Sequence, residues 1–428
     1  MLRFPVSFIP SRRWRLRAAL SDLLLAAVLG VAGALATILF RELLYLIESL
    51  LAAEPRNGLV SLARSLAPWQ RVIVPLVGGF VAGLILQKGL ALARGSATGD
   101  YMEAVRVGDG KLGVRTTLVK SGSSLLSIAS GSSIGREGSM VALAALVGSL
   151  SGQLRSLPRY RRRLMVSCGA AAGLASAYHA PLAAVLFVAE IVWGRLHVRQ
   201  LVPLVVSAVL ASSTVYQLFG YEPVYRLATL PTLSLPQLPG YCLIALLLGA
   251  MAPAYIALLE HTRRLFGRLP LALPWRMTLG GLLVGLLSLV YPEVWGNGYS
   301  TVTRLLNEPL GWSLVLGILL AKLVATAAST GSGAVGGVFT PTLFVGAALG
   351  TLAGLAINAL WPGWLSLAAC TLVGMTALLA GATQAPLMAM LMLSEMTGQY
   401  SLLLPVMLAA VLAVMVSRLL GGGSIYPR

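Results

Sequence analysis

The sequence predicts an all-α polytopic membrane protein made of two related halves of uneven, broken and re-entrant helices. Three observations predict it: an extremely apolar composition, apolar runs interrupted by glycine and proline, and a repeated segment. Over 428 residues, 57% are hydrophobic and 11% charged, and the mean hydropathy is +0.84. A soluble domain of ordinary composition is much more polar than this. The runs Leu23–Phe40, Val72–Gln87, Gly138–Leu154, Leu164–Glu190, Gln200–Tyr221 and Gly240–Leu259 match or approach the roughly 20 residues that cross a bilayer as helix. Between Lys322 and Glu395 there is no Asp, Glu, Lys or Arg, and glycines and prolines divide this stretch into short pieces.

The chain opens with a basic stretch, residues 1–18, containing Arg12, Arg13, Arg15 and Arg17. A second cluster is Arg159-Tyr160-Arg161-Arg162-Arg163. The net charge of +18 is concentrated at the ends of apolar spans, which marks cytoplasmic flanks and argues against nucleic acid as a partner. The N-terminus is therefore expected in the cytoplasm, with its first helix retained because no small-residue cleavage site follows it. Residues 19–221 read as a first transmembrane repeat, the proline-rich 222–239 as a linker, and 240–428 as a second repeat. The repeat is visible where Gly169–Glu190 returns as Gly374–Glu395, with eleven of 22 positions identical, Pro181/Pro386 and Glu190/Glu395 among them. Similarity alone leaves open whether the halves run parallel or inverted. Substrate sites in such proteins form where the halves meet.

Glu137 stands out in Ser132-Ser133-Ile134-Gly135-Arg136-Glu137-Gly138-Ser139. An ionised carboxylate inside a membrane costs several kcal/mol, so such residues face a watery cavity and mark a route. Broken backbone at that depth survives only where protein or water satisfies it. Across the repeat, Gly337-Val338-Phe339-Thr340-Pro341 falls opposite this break. Both breaks lead into apolar helices, so free N–H groups and positive helix ends point inward, a geometry that favours an anion. A third break, Arg94–Gly99, offers a hydroxyl from Ser96 or Thr98. Neutral donors hold a permeating anion without a deep well. Glu137 can occupy an anion position when ionised and leave it when protonated, while Arg136 braces the break. Glu190 reads as a structural acid and His179 as a satisfied or pore-side residue.

Gly135-Arg136-Glu137-Gly138, Gly337-Val338-Phe339-Thr340-Pro341 and the Ala180-Pro181-Leu182 helix with Glu190 resemble the CLC family of chloride channels and proton-coupled chloride exchangers. The resemblance covers essentially the whole chain. The runs Asp100–Ala104 and Trp295–Val302 are similar to its bacterial ClcB-type branch. It implies two inverted halves with about eighteen helices per subunit, and a homodimer in the bacterial inner membrane. By motif it makes Glu137 the external gate, Val338 and Phe339 the amides around a central chloride, and Ser96 and Tyr426 the inner-gate hydroxyls. The resemblance makes chloride, with other small anions, the expected permeant ligand; protons act at the gate, membrane lipid surrounds the chain, and no cofactor is expected. The family's Gly-Ser-Gly-Ile-Pro pattern is altered here to Gly95-Ser96-Ala97-Thr98-Gly99.

Family exchangers often carry a proton-transfer glutamate where this chain has Ile191, which cannot bind a proton. The reading is gated chloride conduction, an electrical shunt under acid stress, with a proton-coupled antiporter as the alternative. A fluoride-selective relative lacks support, because the methionine expected beside Ser96 is absent. His179, His197 and His261 lie apart without nucleophile or metal spacing, and Cys168, Cys242 and Cys370 are scattered, so an enzyme is not expected. The nucleotide-binding CBS pair of many family members is not expected after Tyr426.

Overall fold

The computed structural model describes residues 12–51, 58–93, 97–194, 198–228 and 234–426. The described residues hold seventeen α-helices and no β-sheet beyond one isolated bridge. The chain begins with α1 (Arg12–Leu51), α2 (Leu59–Ser65), α3 (Pro68–Leu92), α4 (Tyr101–Arg106) and α5 (Val114–Ala129). There follow α6 (Glu137–Leu154), α7 (Arg159–Tyr178), α8 (Pro181–Phe187) and α9 (Val198–Phe219). The second part holds α10 (Leu238–Arg268), α11 (Leu273–Val290), α12 (Tyr299–Asn307), α13 (Trp312–Ser332) and α14 (Phe339–Leu360). It closes with α15 (Leu367–Thr383), α16 (Pro386–Thr397) and α17 (Leu403–Leu419). Seven of these segments are long and apolar enough to cross a bilayer; the chain is a multi-pass membrane protein.

The expected span Leu164–Glu190 is not one helix. It breaks at His179-Ala180-Pro181 into α7 and α8, and α8 runs on into a π turn, Val188–Val192. Proline disfavours helix in the residue before it, so Ala180 is pushed out of the helical region. His179 closes α7 in the left-handed conformation, φ 56° and ψ 33°. The repeat shows the same corner. Gln384 closes α15 at φ 59° and ψ 30°, and Ala385 at φ −128° and ψ 78° matches Ala180 at φ −127° and ψ 75°.

The two corner helices cap each other. Glu395, near the end of α16, accepts from the N–H groups of Leu182 (3.0 Å) and Ala183 (2.8 Å) at the start of α8. Glu190, in the turn after α8, accepts from Leu387 (3.3 Å) and Met388 (2.8 Å) at the start of α16. End meets beginning in both directions, so the two equivalent helices run antiparallel. The halves are therefore inverted with respect to one another there, the question that similarity alone left open. Each carboxylate satisfies two of the N–H groups that a helix start leaves unpaired.

Elsewhere small residues let backbones approach, the usual solution where lipid supplies no hydrophobic drive between helices. α3 lies antiparallel on α11: a methyl group at Gly79 would come within 2.4 Å of the Met277 carbonyl, and one at Gly281 within 2.0 Å of the Pro75 carbonyl. The main core joins α7, α8, α15 and α16 with Phe339, Phe344 and Tyr178.

α1 and α7 give the molecule its two ends. Arg161, in the first turn of α7, donates to Asp22 of α1 (2.7 Å). At the other end of α7, His179 and Ser176 share a cavity with Thr37 and Arg41 of α1. Arg41 lies nineteen residues beyond Asp22, about 28 Å along the axis at 1.5 Å per residue.

Candidate functional site

The two breaks foreseen from the sequence meet. Gly135 donates its N–H to the Gly337 carbonyl (2.7 Å), and Gly337 donates to the Gly135 carbonyl (2.8 Å). Residues aligned by the repeat thus pair with one another across the centre of the molecule. This bridge brings the starts of α6 and α14 together, helices of 18 and 22 residues, with Arg136 and Val338 as the residues just before them. Among the described residues, no hydrogen bond engages the N–H of Val338 or of Phe339. Pro341 is buried within the first turn of α14, where its missing N–H costs the helix nothing. Two sets of unpaired N–H groups and two positive helix ends therefore share one place.

Glu137 fills that place. It is 2% exposed, and its carboxylate lies back over the bridge. A methyl group at Gly135 would come within 2.2 Å of Glu137 Oε2, and one at Gly337 within 3.7 Å, so the first glycine is required for the carboxylate to lie there. Oε1 accepts from the Tyr299 hydroxyl (2.8 Å), and buried Oε2 has no partner among the described residues. One bond from a side chain holds the acid in this position. Gly138 packs against the backbone of Gly336 and Gly337.

Tyr299 was quoted in the sequence only as part of a similar run, without a role. The signal available was the pair of glycines before it. Gly296 and Gly298 take φ of 65° and 90°, which turn the chain into α12 and aim its first residue at Glu137. Lys322 holds this turn. Fully buried in α13, its ammonium donates to the carbonyls of Val294 (3.1 Å) and Gly296 (2.7 Å) and lies 5.1 Å from the Phe344 ring centre. One turn on, Thr326 and Ser329 bond Ser133 at 3.1 and 3.0 Å, so α13 fastens both the first break and the turn that carries Tyr299. The Arg136 guanidinium stacks 5.7 Å from the Tyr299 ring centre and lines two cavities.

Beyond Glu137, Phe339 packs on Tyr178 at 5.1 Å between ring centres, and Tyr178 shares a 3.0 Å hydrogen bond with Thr340. Tyr426 meets Phe187 edge-on at 5.9 Å. The tail before it is docked on the end of α15, Ile425 donating to the Ala382 carbonyl (2.8 Å) and Ser424 to that of Thr383 (2.9 Å). Phe339 and Tyr426 belong to one core. Ser96 lies outside the described residues, as do His197 and Gly95. Thr98, the other hydroxyl considered, is engaged locally: it donates to Glu103 (2.7 Å) and accepts from the Asp100 N–H (3.1 Å), opening α4. Its geometry is that of a turn residue, not of a donor aimed at the break.

Cavities flank the bridge on both sides. One of about 480 Å³ reaches Tyr299 and Arg136 and is walled by Arg41, Tyr45, His179 and Glu222. Two others, of about 180 and 570 Å³, reach Gly336 from the direction of Tyr101 and Lys120 and of Arg263, Val338 and Ile425. The first lies at the Arg41 end of α1. α4, which carries Tyr101, is bound at its far end by Arg159 at the Asp22 end. Between these cavities stands the Gly135–Gly337 junction with its carboxylate, an arrangement that can hold one anion and exchange it for the side chain. Among the described residues no group of His, Cys, Asp and Glu is arranged to hold a metal.

At Ile191, buried in the π turn, the backbone carbonyl accepts from the Arg106 guanidinium, which also donates to the Val192 carbonyl (3.0 Å). This position thus combines an aliphatic side chain with a guanidinium held on main-chain carbonyls.

Comparison with known proteins agrees with this architecture. Residues 78–418 match the family described as voltage gated chloride channel. A protein of Ralstonia nicotianae named for its likeness to ClcB is 49% identical over 411 residues, covering 95% of this chain and 96% of that relative. The voltage-gated ClC-type chloride channel ClcB of Citrobacter koseri is 45% identical, covering 94% and 97%. Among solved structures, a slow cyanobacterial Cl⁻/H⁺ antiporter superposes with a TM-score of 0.82 at 25% identity, covering 95% of this chain and 96% of its own. A CLC-type fluoride/proton antiporter shares the fold with a TM-score of 0.79 at 22% identity, covering 98% and 99%. By family, relatives and fold, the chain belongs to the CLC family, which transports chloride.

Proposed function

We propose that the protein conducts chloride passively across the bacterial inner membrane, gated at Glu137. The observation that carries this reading is the junction of two helix starts occupied by a single carboxylate. Chloride takes the place of that carboxylate, held by the N–H groups of Val338 and Phe339, with the Tyr426 hydroxyl, and Ser96 by motif, on the inner side. Neutral donors and partial helix charges bind an anion without trapping it. Protonation removes the negative charge that keeps Glu137 over the bridge, and the side chain leaves the path.

Passive conduction is favoured over coupling by the inner position. Ile191 carries no proton, so it offers no relay between Glu137 and the opposite face. The curated relatives named as channels point the same way. The second reading, a proton-coupled chloride antiporter, is supported by the likeness to a solved antiporter. Chloride-loaded liposomes containing the purified chain separate them: a chloride gradient is imposed and proton movement recorded. Conduction gives chloride flux without uphill proton transport; a fixed ratio of protons to chloride removes the channel reading.

The arginine clusters support a cytoplasmic N-terminus by the positive-inside rule, with the Arg41 cavity then facing outward. In the cell such a pore, with one copy in each subunit of a homodimer, serves as an electrical shunt that offsets charge while protons are consumed and exported under acid stress. Deletion of the gene should lower survival at acid pH; unchanged survival counts against the shunt.

A further inference from the structure

At the Asp22 end of the molecule lies a separate cavity of about 690 Å³. Its wall includes Arg106 from α4, Arg159, Tyr160 and Arg163 from the first turns of α7, and Trp193 and Gln200 on either side of the start of α9, with no acidic residue among the described ones. Two carboxylates near this end of the molecule have other ion-pair partners. Asp109 pairs with Arg162 (3.2 Å) and Lys111 (3.5 Å), and Asp22 binds Arg161. Arg159 and Arg163 are held by main-chain carbonyls instead. Both donate to the Gly108 carbonyl, at 3.0 and 2.9 Å, and Arg159 also to that of Val107 (2.8 Å).

Carbonyls fix a guanidinium without neutralising it. The bonds to Val107 and Gly108 use Nε and Nη2 of each arginine and leave Nη1 of both unused. A guanidinium has five N–H donors, and its planar fork matches the oxygens of a phosphate. Two such forks pinned on one carbonyl, one helical turn apart, are pre-organised for a tetrahedral oxyanion. The surroundings resemble the headgroup level of a membrane: Tyr160 is 67% exposed, and the Trp193 indole, fixed by its bond to Ser167 (3.0 Å), forms a wall. Basic pockets between helices on the cytoplasmic side suit anionic headgroups.

We propose that this cavity binds a phosphate-bearing anion between Arg159 and Arg163, whether the headgroup of an anionic phospholipid or free phosphate. The site is distinct from the junction at Glu137 and does not depend on how that junction conducts. The test uses the full chain in neutral detergent, incubated with phosphatidylglycerol or phosphatidylcholine and examined by native mass spectrometry. Each arginine near a membrane surface contributes about five-fold to anionic lipid affinity, so Arg159→Gln with Arg163→Gln should lower phosphatidylglycerol retention roughly thirty-fold. Arg155→Gln, an exposed charge outside the cavity, should retain it as the unaltered chain does. In a parallel arm without lipid, inorganic phosphate is added at constant chloride and thermal unfolding followed. Stabilisation lost in the double variant identifies free phosphate as the occupant; retention of phosphatidylglycerol without such stabilisation identifies the lipid. Should the double variant fail to fold, Arg159→Gln alone, at an exposed position, carries the comparison at about five-fold. Equal retention by these variants, equal loss in Arg155→Gln, or no binding of either probe by the unaltered chain overturns the proposal.

Discussion

A single hydroxyl holds the carboxylate at the centre of this protein. Tyr299 donates 2.8 Å to Glu137, whose other oxygen is buried without a partner among the described residues. Hydrogen bonds to charged groups contribute roughly 1.5–3 kcal/mol, enough to bias a two-position side chain by ten-fold or more. Tyr299→Phe is therefore expected to release Glu137 and raise chloride flux at neutral pH by about ten-fold or more; flux assays in liposomes check it, and unchanged flux would leave Tyr299 without a gating part. Under the gating proposed for Glu137, flux in the unaltered chain is expected to rise as pH falls. Glu137→Gln mimics the protonated acid, so flux should persist and lose most of its pH dependence. Glu137 was legible in the sequence as a costly acid in a glycine break. Tyr299 was not, because nothing local ties it to a residue 162 positions away.

Among the elements, the two corner helices show how the repeat is used. Glu190 and Glu395 were visible as matching acids, and a structural part for Glu190 follows from the sequence. Their partners could not be read there, since each caps the helix of the other half. Removing the charge weakens two bonds to N–H groups at a helix start, a change of about 1–2 kcal/mol. Glu395→Gln should accordingly lower the unfolding temperature in detergent by a few degrees, while chloride selectivity stays as it is; an unaltered melting curve would contradict the capping assignment. Thr98 shows the opposite case. Its position near a break suggested a donor to the path, but a threonine two residues before Asp100 finds its bonds within the turn, and short-range chemistry wins.

For the whole molecule, the decisive feature is that the two ends differ. The Arg41 cavity opens onto Arg136 and Tyr299, whereas the opposite side presents Ile191 with its carbonyl on Arg106. Gating should hence respond to pH on one face. With pH set independently on the two sides of a planar bilayer, acidification at the Arg41 face is expected to raise current, and at the other face to change it little; an equal response from both would contradict a one-sided gate. Membrane class, the repeat and both glycine breaks were written in the sequence, because composition and glycine act locally and a repeat needs no structure to be seen; the corner at Pro181 was not, since Leu164–Glu190 read as one span. Only the tertiary structure decided that the halves are inverted, that Gly135 pairs with Gly337, and that Tyr299 and Lys322 reach the site. These depend on contacts between segments far apart in the chain, where each group's partner is chosen by packing and by the need to satisfy buried polar atoms.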